Sequence, residues 1–439
     1  MTATAMTDAA ATLGRGDLPP AMRVAPPGPE SRALSERLAA AEAPGANTLG
    51  PGDAPAIVWR AALGANVLDV DGNRYVDFTA GFGVAALGHR DPDIVAAVAR
   101  QAGELLHGLA DVAAHPARVA LAERLAALAP VDRPRVHFAV SGSDAVEIAA
   151  KTALLAAPRP GLLVFDPGYH GLSLGALAAT SRAAFRAPFA AQLRPDVVRL
   201  PFGAPPEEIA RALAAPDAPG AVLVEPVVGR EGVRVPPPGW LAALAAAARR
   251  CGALLIADEV FTGFGRTGHL WAVDAEGVRP DLLCCGKALG GGLPIAAVVG
   301  RAELMAAWRQ PGEALHTGTF LAHPLACAAA LALLDRLERD ALPARASALG
   351  ERIVARLARP AAAAGFELRG RGALWALAAP TADRAKSFVA RLAGRGLLAL
   401  AGGPDGRAVQ LCPPLAIAEP PFAAALEILA GELDREAAA

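Results

Sequence analysis

The chain has 439 residues, 42 Lys and Arg against 43 Asp and Glu, and 54% hydrophobic residues. That length suggests two or three domains with ample core, and the balanced charge, without a basic stripe or a long charge run, argues against a nucleic-acid partner. No eighteen-residue apolar run occurs, so no membrane span is expected.

Residues 1–55 are rich in Ala, Pro and Gly with weak periodicity. A partly disordered extension is expected there, with a short helix over Glu30–Ala41. No basic-then-apolar leader opens the chain. Ile57 to Val76 reads as a hairpin turning at Asp71-Gly72-Asn73. Helices are predicted over Pro92–Leu106 and Ala117–Leu128.

A strand–helix alternation follows. Strands are predicted at Arg135–Val140, Gly161–Phe165, Ala221–Val227, Ala253–Val260, Leu282–Gly286 and Ile295–Val299. Helices are predicted at Asp144–Ala156, Glu207–Ala214 and Gly239–Cys251. Near-continuous apolar strands alternating with helices indicate an α/β fold with a mostly parallel sheet covered on both faces. Phe320 to Leu334 is apolar but contains His323 and Pro324, so it reads as a buried helix. From residue 323 the pattern gives two long helices, short strands near Leu368–Leu377, Leu397–Leu400 and Val409–Leu411, and a last helix. Cys251, Cys284, Cys285, Cys327 and Cys412 form no CxxC, and the histidines show no metal-ligand spacing. Free thiols in a reducing cytoplasm, and no metal, are expected.

The polar residues fall at strand ends. Ser141-Gly142-Ser143 follows one strand, Tyr169-His170-Gly171 the next, and Glu225, Asp258 and Lys287 lie at or near the ends of three others. Ligands of open α/β sheets bind outside the carboxyl ends of the strands, so these five segments aim at one crevice. Lys287 closes an apolar run and precedes Gly290-Gly291-Gly292. A strand-end lysine with a strand-end aspartate is what pyridoxal phosphate chemistry requires. The amine forms a Schiff base, and Asp258 keeps the pyridine nitrogen protonated. Ser141-Gly142-Ser143 opens a helix whose N-terminus suits a phosphate. Tyr169 and Val260 are candidates to pack the two faces of the ring.

Three competing motifs fail. A P-loop needs Gly at position 281 and Ser or Thr at 288, where Asp281 and Ala288 stand. Gly263-Phe264-Gly265-Arg266-Thr267-Gly268 fits GxGxxG, but Gly277 and Pro280 interrupt the helix that a dinucleotide site needs next. An esterase elbow around Ser143 needs Gly where Ser141 stands.

From about Ala56 to the C-terminus the chain resembles the class III pyridoxal-phosphate aminotransferases, a fold-type-I family. The resemblance rests on Asp71-Gly72-Asn73-Arg74-Tyr75-Val76-Asp77, Leu87-Gly88-His89, Ser141-Gly142-Ser143-Asp144-Ala145, Tyr169-His170-Gly171, Glu225-Pro226 and Asp258-Glu259-Val260. It continues through Thr262–Gly268, Gly286-Lys287-Ala288-Leu289-Gly290-Gly291-Gly292, Thr319-Phe320 and His323-Pro324. It implies a large domain with a mostly parallel, seven-stranded-type sheet between helices, plus a small α+β domain from the two ends of the chain. The expected divisions are an extension over 1–55, small-domain parts at 56–110 and 323–439, and a large cofactor-binding domain over 111–322.

The resemblance implies ping-pong transfer of an amino group from an amino acid, ω-amino acid or amine to a keto acid or aldehyde. The alternatives on the same fold are a glutamate-1-semialdehyde-type aminomutase or a racemase; a remote one is a non-catalytic scaffold or regulator. Lys287 and Asp258 resemble the family's catalytic pair. Ser141, Gly142, Ser143, Tyr169, Glu225 and Val260 resemble its cofactor-binding residues. Thr319 resembles the threonine that reaches the phosphate of a neighbouring subunit, which implies a homodimer with its site at the interface. Phe82, Arg230 and Gln410 are expected to face the substrate.

Three departures bear on that substrate. Many relatives read Glu-Pro-x-Gln-Gly-Glu-Gly-Gly, whereas this chain reads Glu225-Pro226-Val227-Val228-Gly229-Arg230-Glu231-Gly232. Their arginine three residues before Pro-Pro is here Gln410. Their glutamine after Asp-Glu-Val is here Phe261, which removes a polar contact near the ring hydroxyl. Arg230 is therefore expected either to supply the carboxylate-binding charge or to be a surface arginine beside a site for plain amines.

Overall fold

A computed structural model describes residues 12–46 and 56–438. Its main sheet contains β4 (Pro134–Ala139), β5 (Leu162–Asp166), β6 (Val197–Pro201), β7 (Ala221–Val224), β8 (Leu254–Asp258), β9 (Leu282–Cys285) and β10 (Ala296–Arg301). The strand order is β4-β10-β9-β8-β7-β5-β6. Only β10 runs against its neighbours, pairing antiparallel with β4 and β9. All the strands except β10 therefore point their carboxyl ends the same way.

The near-continuous apolar strands have a direct physical result. Leu163, Phe165, Val222, Val224, Leu255, Ala257, Leu283 and Cys285 join one buried cluster. Their neighbours Leu162, Val164, Ala221, Leu223, Ile256, Leu282 and Cys284 join another. Side chains alternate across a strand, so a sheet dry on both faces needs apolar residues at every position. Strand β6 has no such run and was not predicted. It holds Arg199 and Pro201, is partly exposed and forms the sheet edge, where one open face suffices.

The longer helices are α1 (Pro29–Ala41), α2 (Pro92–Glu104), α3 (Pro116–Leu128), α4 (Gly142–Ala156), α5 (Pro206–Ala214) and α6 (Trp240–Arg250). They continue with α7 (Pro324–Arg339), α8 (Leu342–Ala363), α9 (Ala382–Gly394) and α10 (Glu419–Ala438). Helix α9 was also not predicted, although Thr381 caps it by accepting the Arg384 N–H. No helix among the described residues is long and apolar enough to cross a membrane.

Two further sheets carry the ends of the chain. One orders β1 (Trp59–Leu63), β2 (Asn66–Asp69), β3 (Arg74–Asp77) and β13 (Leu397–Leu398). The other orders β11 (Glu367–Arg371), β12 (Leu374–Ala378), β15 (Ala408–Leu411) and β14 (Leu400–Gly402). The expected single hairpin over Ile57–Val76 is in fact a three-strand meander. A turn at Gly64-Ala65 separates β1 from β2, and Asp71-Gly72-Asn73 turns β2 into β3. Gly64 has φ +56°, and a Cβ there would lie 2.6 Å from the Gly16 carbonyl oxygen, so a glycine alone permits this turn.

The expected disorder of 1–55 does not extend over 12–46. Leu13 is buried against Leu68. The Asp71 carboxylate accepts the Glu30 and Ser31 N–H groups at 2.8 and 3.0 Å. The Asn73 side-chain oxygen accepts those of Arg23 and Val24 at 2.7 and 3.0 Å. The turn residues thus dock the segment that precedes them. The rest of the expected extension, 1–11 and 47–55, lies outside the described residues.

Candidate active site

A cavity of about 490 Å³ opens at the carboxyl ends of β4, β5, β7, β8 and β9. Its lining includes Gly142, Ser143, Tyr169, His170, Glu225, Asp258, Val260 and Lys287, with Phe82, Arg230, Phe261 and Gln410. The volume is in the range of small-molecule sites. Two of the predicted cofactor residues lie outside it. Ser141 is exposed and caps α4, its hydroxyl accepting the Asp144 N–H at 3.2 Å. Thr319 is exposed and does not line this cavity.

Each strand end is shaped by its own side chains. Strand β8 stops at Asp258 because its Oδ1 accepts the Val260 N–H at 3.1 Å, turning the backbone out of the ladder. The predicted run to Val260 was therefore too long by two residues. Asp258 Oδ2 lies 2.7 Å from His170 Nδ1, and both groups are buried. Sequence reasoning gave His170 no role. Its partner stands 88 positions away, and no local pattern encodes that contact.

Strand β7 likewise ends at Val224, three residues before its predicted end. Glu225 then accepts the Tyr169 N–H at 2.8 Å and the Gly229 N–H at 3.0 Å. It thereby fixes the backbone that carries Tyr169 and the backbone that carries Arg230. Burial pushes the Glu225 carboxyl above its usual range, and the nearby Asp258 adds to this against the opposing pull of His170. The Arg230 guanidinium lies 4.4 Å from the centre of the Tyr169 ring.

Lys287 follows β9 with φ +43°, a conformation rare for a side-chain-bearing residue and one that often marks a functional site. Its Nζ is 4.0 Å from the centre of the Phe261 ring. Among the described residues no hydrogen bond or ion pair holds that amine. Burial lowers its pKa from the ordinary 10.5, and Arg230 lowers it further, while Asp258, Glu225 and Cys412 oppose the shift. Phe261 is itself packed in, since a Cβ on Gly83 or Gly229 would come within 2.5 or 2.3 Å of its ring.

Gly142 and Ser143 open α4, where helical N–H groups have no partner inside the helix. The Ser143 hydroxyl is 2.7 Å from that of Ser173, and it accepts the Ser173 N–H at 3.1 Å. The arrangement therefore offers donors at one end and an unpartnered amine and a buried carboxylate elsewhere in the same cavity. These residues suit a phosphorylated aromatic aldehyde.

The family profile described as "Aminotransferase class-III" matches residues 50–433. The chain belongs to the class III aminotransferases. This aminotransferase is 41% identical over 388 residues to the acetylornithine aminotransferase of Mycobacterium tuberculosis, covering 87% of this chain and 92% of that protein. It is 38% identical over 379 residues to the putrescine aminotransferase of Pectobacterium atrosepticum, covering 83% and 80%. An amine transaminase from an uncultivated Pseudomonas species, solved with pyridoxal phosphate bound, superposes with a TM-score of 0.81 at 31% identity, covering 90% and 98%. The ornithine aminotransferase of Toxoplasma gondii superposes with a TM-score of 0.80 at 31% identity, covering 87% and 90%. The aminotransferase has the fold-type-I architecture, uses pyridoxal 5'-phosphate and moves amino groups between small molecules.

The start of α4 has no room for a side chain at Gly142. A Cβ on Gly142 would lie 2.7 Å from Val260 Cγ1, closer than such atoms approach. Gly142→Ala must separate the start of α4 from Val260, at a cost typical of overpacking. Equilibrium titration with pyridoxal phosphate is expected to show affinity weakened by roughly ten-fold.

Proposed function

We propose that Lys287 is both the residue that binds the cofactor covalently and the base that moves the proton of the reaction. The observation that carries this reading is its amine, which is unpartnered, has a lowered pKa and shares one cavity with the Asp258–His170 pair. Pyridoxal phosphate, when bound, supplies an aldehyde that takes up the donor's amino group and a ring that accepts the electrons of the broken C–H bond. Lys287 Nζ takes the proton from the donor carbon and later returns it. Burial favours the neutral amine that this role needs. Asp258, aligned by His170 and the Val260 N–H, presents its charge to the ring nitrogen. Tyr169 and Val260 would pack the ring faces, and the free N–H groups of Gly142 and Ser143 at the start of α4 would receive the phosphate. Glu225 acts through the backbone of Tyr169 and Gly229, as a positioning residue.

Thr319 is assigned to the cavity of a second copy. Leu105, Leu106, Leu109, Val112, Leu315 and Phe320 are exposed, and His107 packs edge-on against Phe320 at 5.6 Å, which brings the first of these exposed apolar segments against the one that carries Thr319. An exposed apolar area of this kind suits a subunit contact. Residues 56–110 and 323–439 are read as one small domain against the large domain at 111–322. The parallel pairing of Val76 with Leu397 supports this, because it joins the two ends of the chain. The described cysteines are free thiols, which fits a reducing cytoplasm.

Stopped-flow absorbance of the cofactor-loaded enzyme tests the transferase reading. Mixing with a donor alone is expected to convert the cofactor within one turnover, and a keto acid is expected to restore the starting spectrum. Isomerised product without any added acceptor would overturn the assignment in favour of a mutase.

A further inference from the structure

Among the described residues Arg230 is a cation without a paired acid, in a wall where the neighbouring acids are otherwise engaged. Arg182 Nε reaches both oxygens of buried Glu231 at 2.8 and 2.9 Å, so the adjacent carboxylate is taken. The two acids of the cavity are engaged as well, Asp258 by His170 and Glu225 by two backbone N–H groups. Among the described residues no hydrogen bond or ion pair reaches the Arg230 guanidinium. It rests on the Tyr169 ring, a contact that leaves the N–H edge of a planar guanidinium free to donate.

Gln410 is a second unsatisfied donor on the same cavity. Its Nε2 is buried and has no hydrogen-bond partner among the described residues. Such a group costs stability unless something in the working protein satisfies it. Both residues sit on backbone that cannot drift. Gln410 lies in β15 between Ala376 of β12 and Leu400 of β14. Two residues past Ala401, the Gly403 N–H bonds the Arg230 carbonyl at 3.3 Å. One sheet edge therefore ties together the backbones that carry the guanidinium and the amide.

We propose that Arg230 and Gln410 together form the receptor for a substrate carboxylate, so that these two residues set the preference for carboxylated donors over plain amines. The inference rests on the pyridoxal reading of the cavity. A carboxylate offers two acceptor oxygens, which match the free N–H edge of Arg230 and the orphan amide of Gln410. Among the described residues no acid pairs with the guanidinium, so the receptor is open to a ligand carboxylate. It serves the amino acid in one half-reaction and the oxo acid in the other. Phe82 and Phe261 supply apolar surface on the same cavity.

The test uses substrate pairs that differ only by a carboxylate: β-alanine with ethylamine, 4-aminobutyrate with propylamine, and ornithine with putrescine. The first half-reaction of the cofactor-loaded enzyme is followed by stopped-flow absorbance. The wild type is expected to favour the carboxylated member of at least one pair by roughly 10- to 100-fold, the range of a charged hydrogen bond. Arg230→Ala is expected to bring that ratio close to one, Gln410→Leu to lower it several-fold, and Arg230→Lys to restore part of it. Absence of any preference in the wild type, or equal losses on both members in Arg230→Ala, would overturn the proposal. A second readout needs no chemistry: butyrate binding to the loaded enzyme by saturation-transfer NMR. Binding weakened ten-fold or more in Arg230→Ala supports the receptor, and unchanged binding overturns it. If no pair reacts with the loaded wild type, these compounds are not its donors, and the butyrate titration still decides the carboxylate site.

Discussion

Lys287→Ala is expected to lower turnover by roughly 10²- to 10⁴-fold, the span of a lost general base. The same substitution should abolish the borohydride-stable adduct that peptide mapping would find on the Lys287 peptide of the wild type. Loss of fold is not expected to confuse the result. Lysine and alanine both carry a Cβ, so the left-handed backbone at φ +43° is no harder for alanine to hold. Among the described residues no hydrogen bond is broken, and a cation disfavoured by burial is removed. The melting temperature should therefore stay at or slightly above that of the wild type. A small primary amine added to the solution should restore part of the rate, because the missing group is a proton carrier and not a structural support. A variant retaining more than a tenth of wild-type turnover would refute the assignment.

The pH dependence of this lysine follows from the sign of its shift. Burial disfavours the ammonium, so at any pH below 10.5 more of the amine is neutral than in a free lysine. In the cofactor-free enzyme, the rate of Lys287 modification by an amine-specific reagent should rise with pH to a midpoint below 10.5. Arg230 contributes to the lowering, so Arg230→Ala should move that midpoint upward.

The parts of the site that could be read in the sequence were those whose chemistry sits in the local chain. Lys287 shows because a charge between an apolar run and three glycines has few structural explanations. Asp258 shows because it closes an apolar strand. The main sheet shows because both faces are dry and every strand position must be apolar. What stayed hidden depends on contacts between distant segments. Arg199 and Pro201 broke the apolar signal of edge strand β6. The docking of residues 12–46 depends on Asp71 and Asn73, which read locally as ordinary turn residues. The unsatisfied amide of Gln410 is a property of its surroundings, and the residue type does not announce it. The resemblance to known aminotransferases singled out positions 230 and 410 as departures. It did not say that Arg230 lacks a carboxylate partner, because Glu231 is held by Arg182 from another segment.

The second large effect is expected for Asp258→Asn. The substitution keeps the shape and removes the charge, leaving an amide beside His170 Nδ1 where the carboxylate oxygen stood at 2.7 Å. Loss of one preorganised charge at the site where charge develops lowers kcat by roughly 10²- to 10³-fold. A competing explanation is that the change merely disturbs the base. The sign of the Lys287 shift separates the two. Asp258 raises the Lys287 pKa, so the asparagine variant should have a lower one and more neutral amine at neutral pH. Base availability would then rise while turnover falls, and the modification midpoint of Lys287 should drop in the same variant. His170→Ala provides the comparison, because it removes the partner that orients Asp258 but leaves the charge. Its loss in kcat should be smaller than that of Asp258→Asn. If the two variants lose rate equally, Asp258 matters through its placement alone, and the charge assignment is wrong. If Asp258→Asn keeps wild-type kcat while the Lys287 midpoint drops, the carboxylate tunes the base and does nothing for the ring.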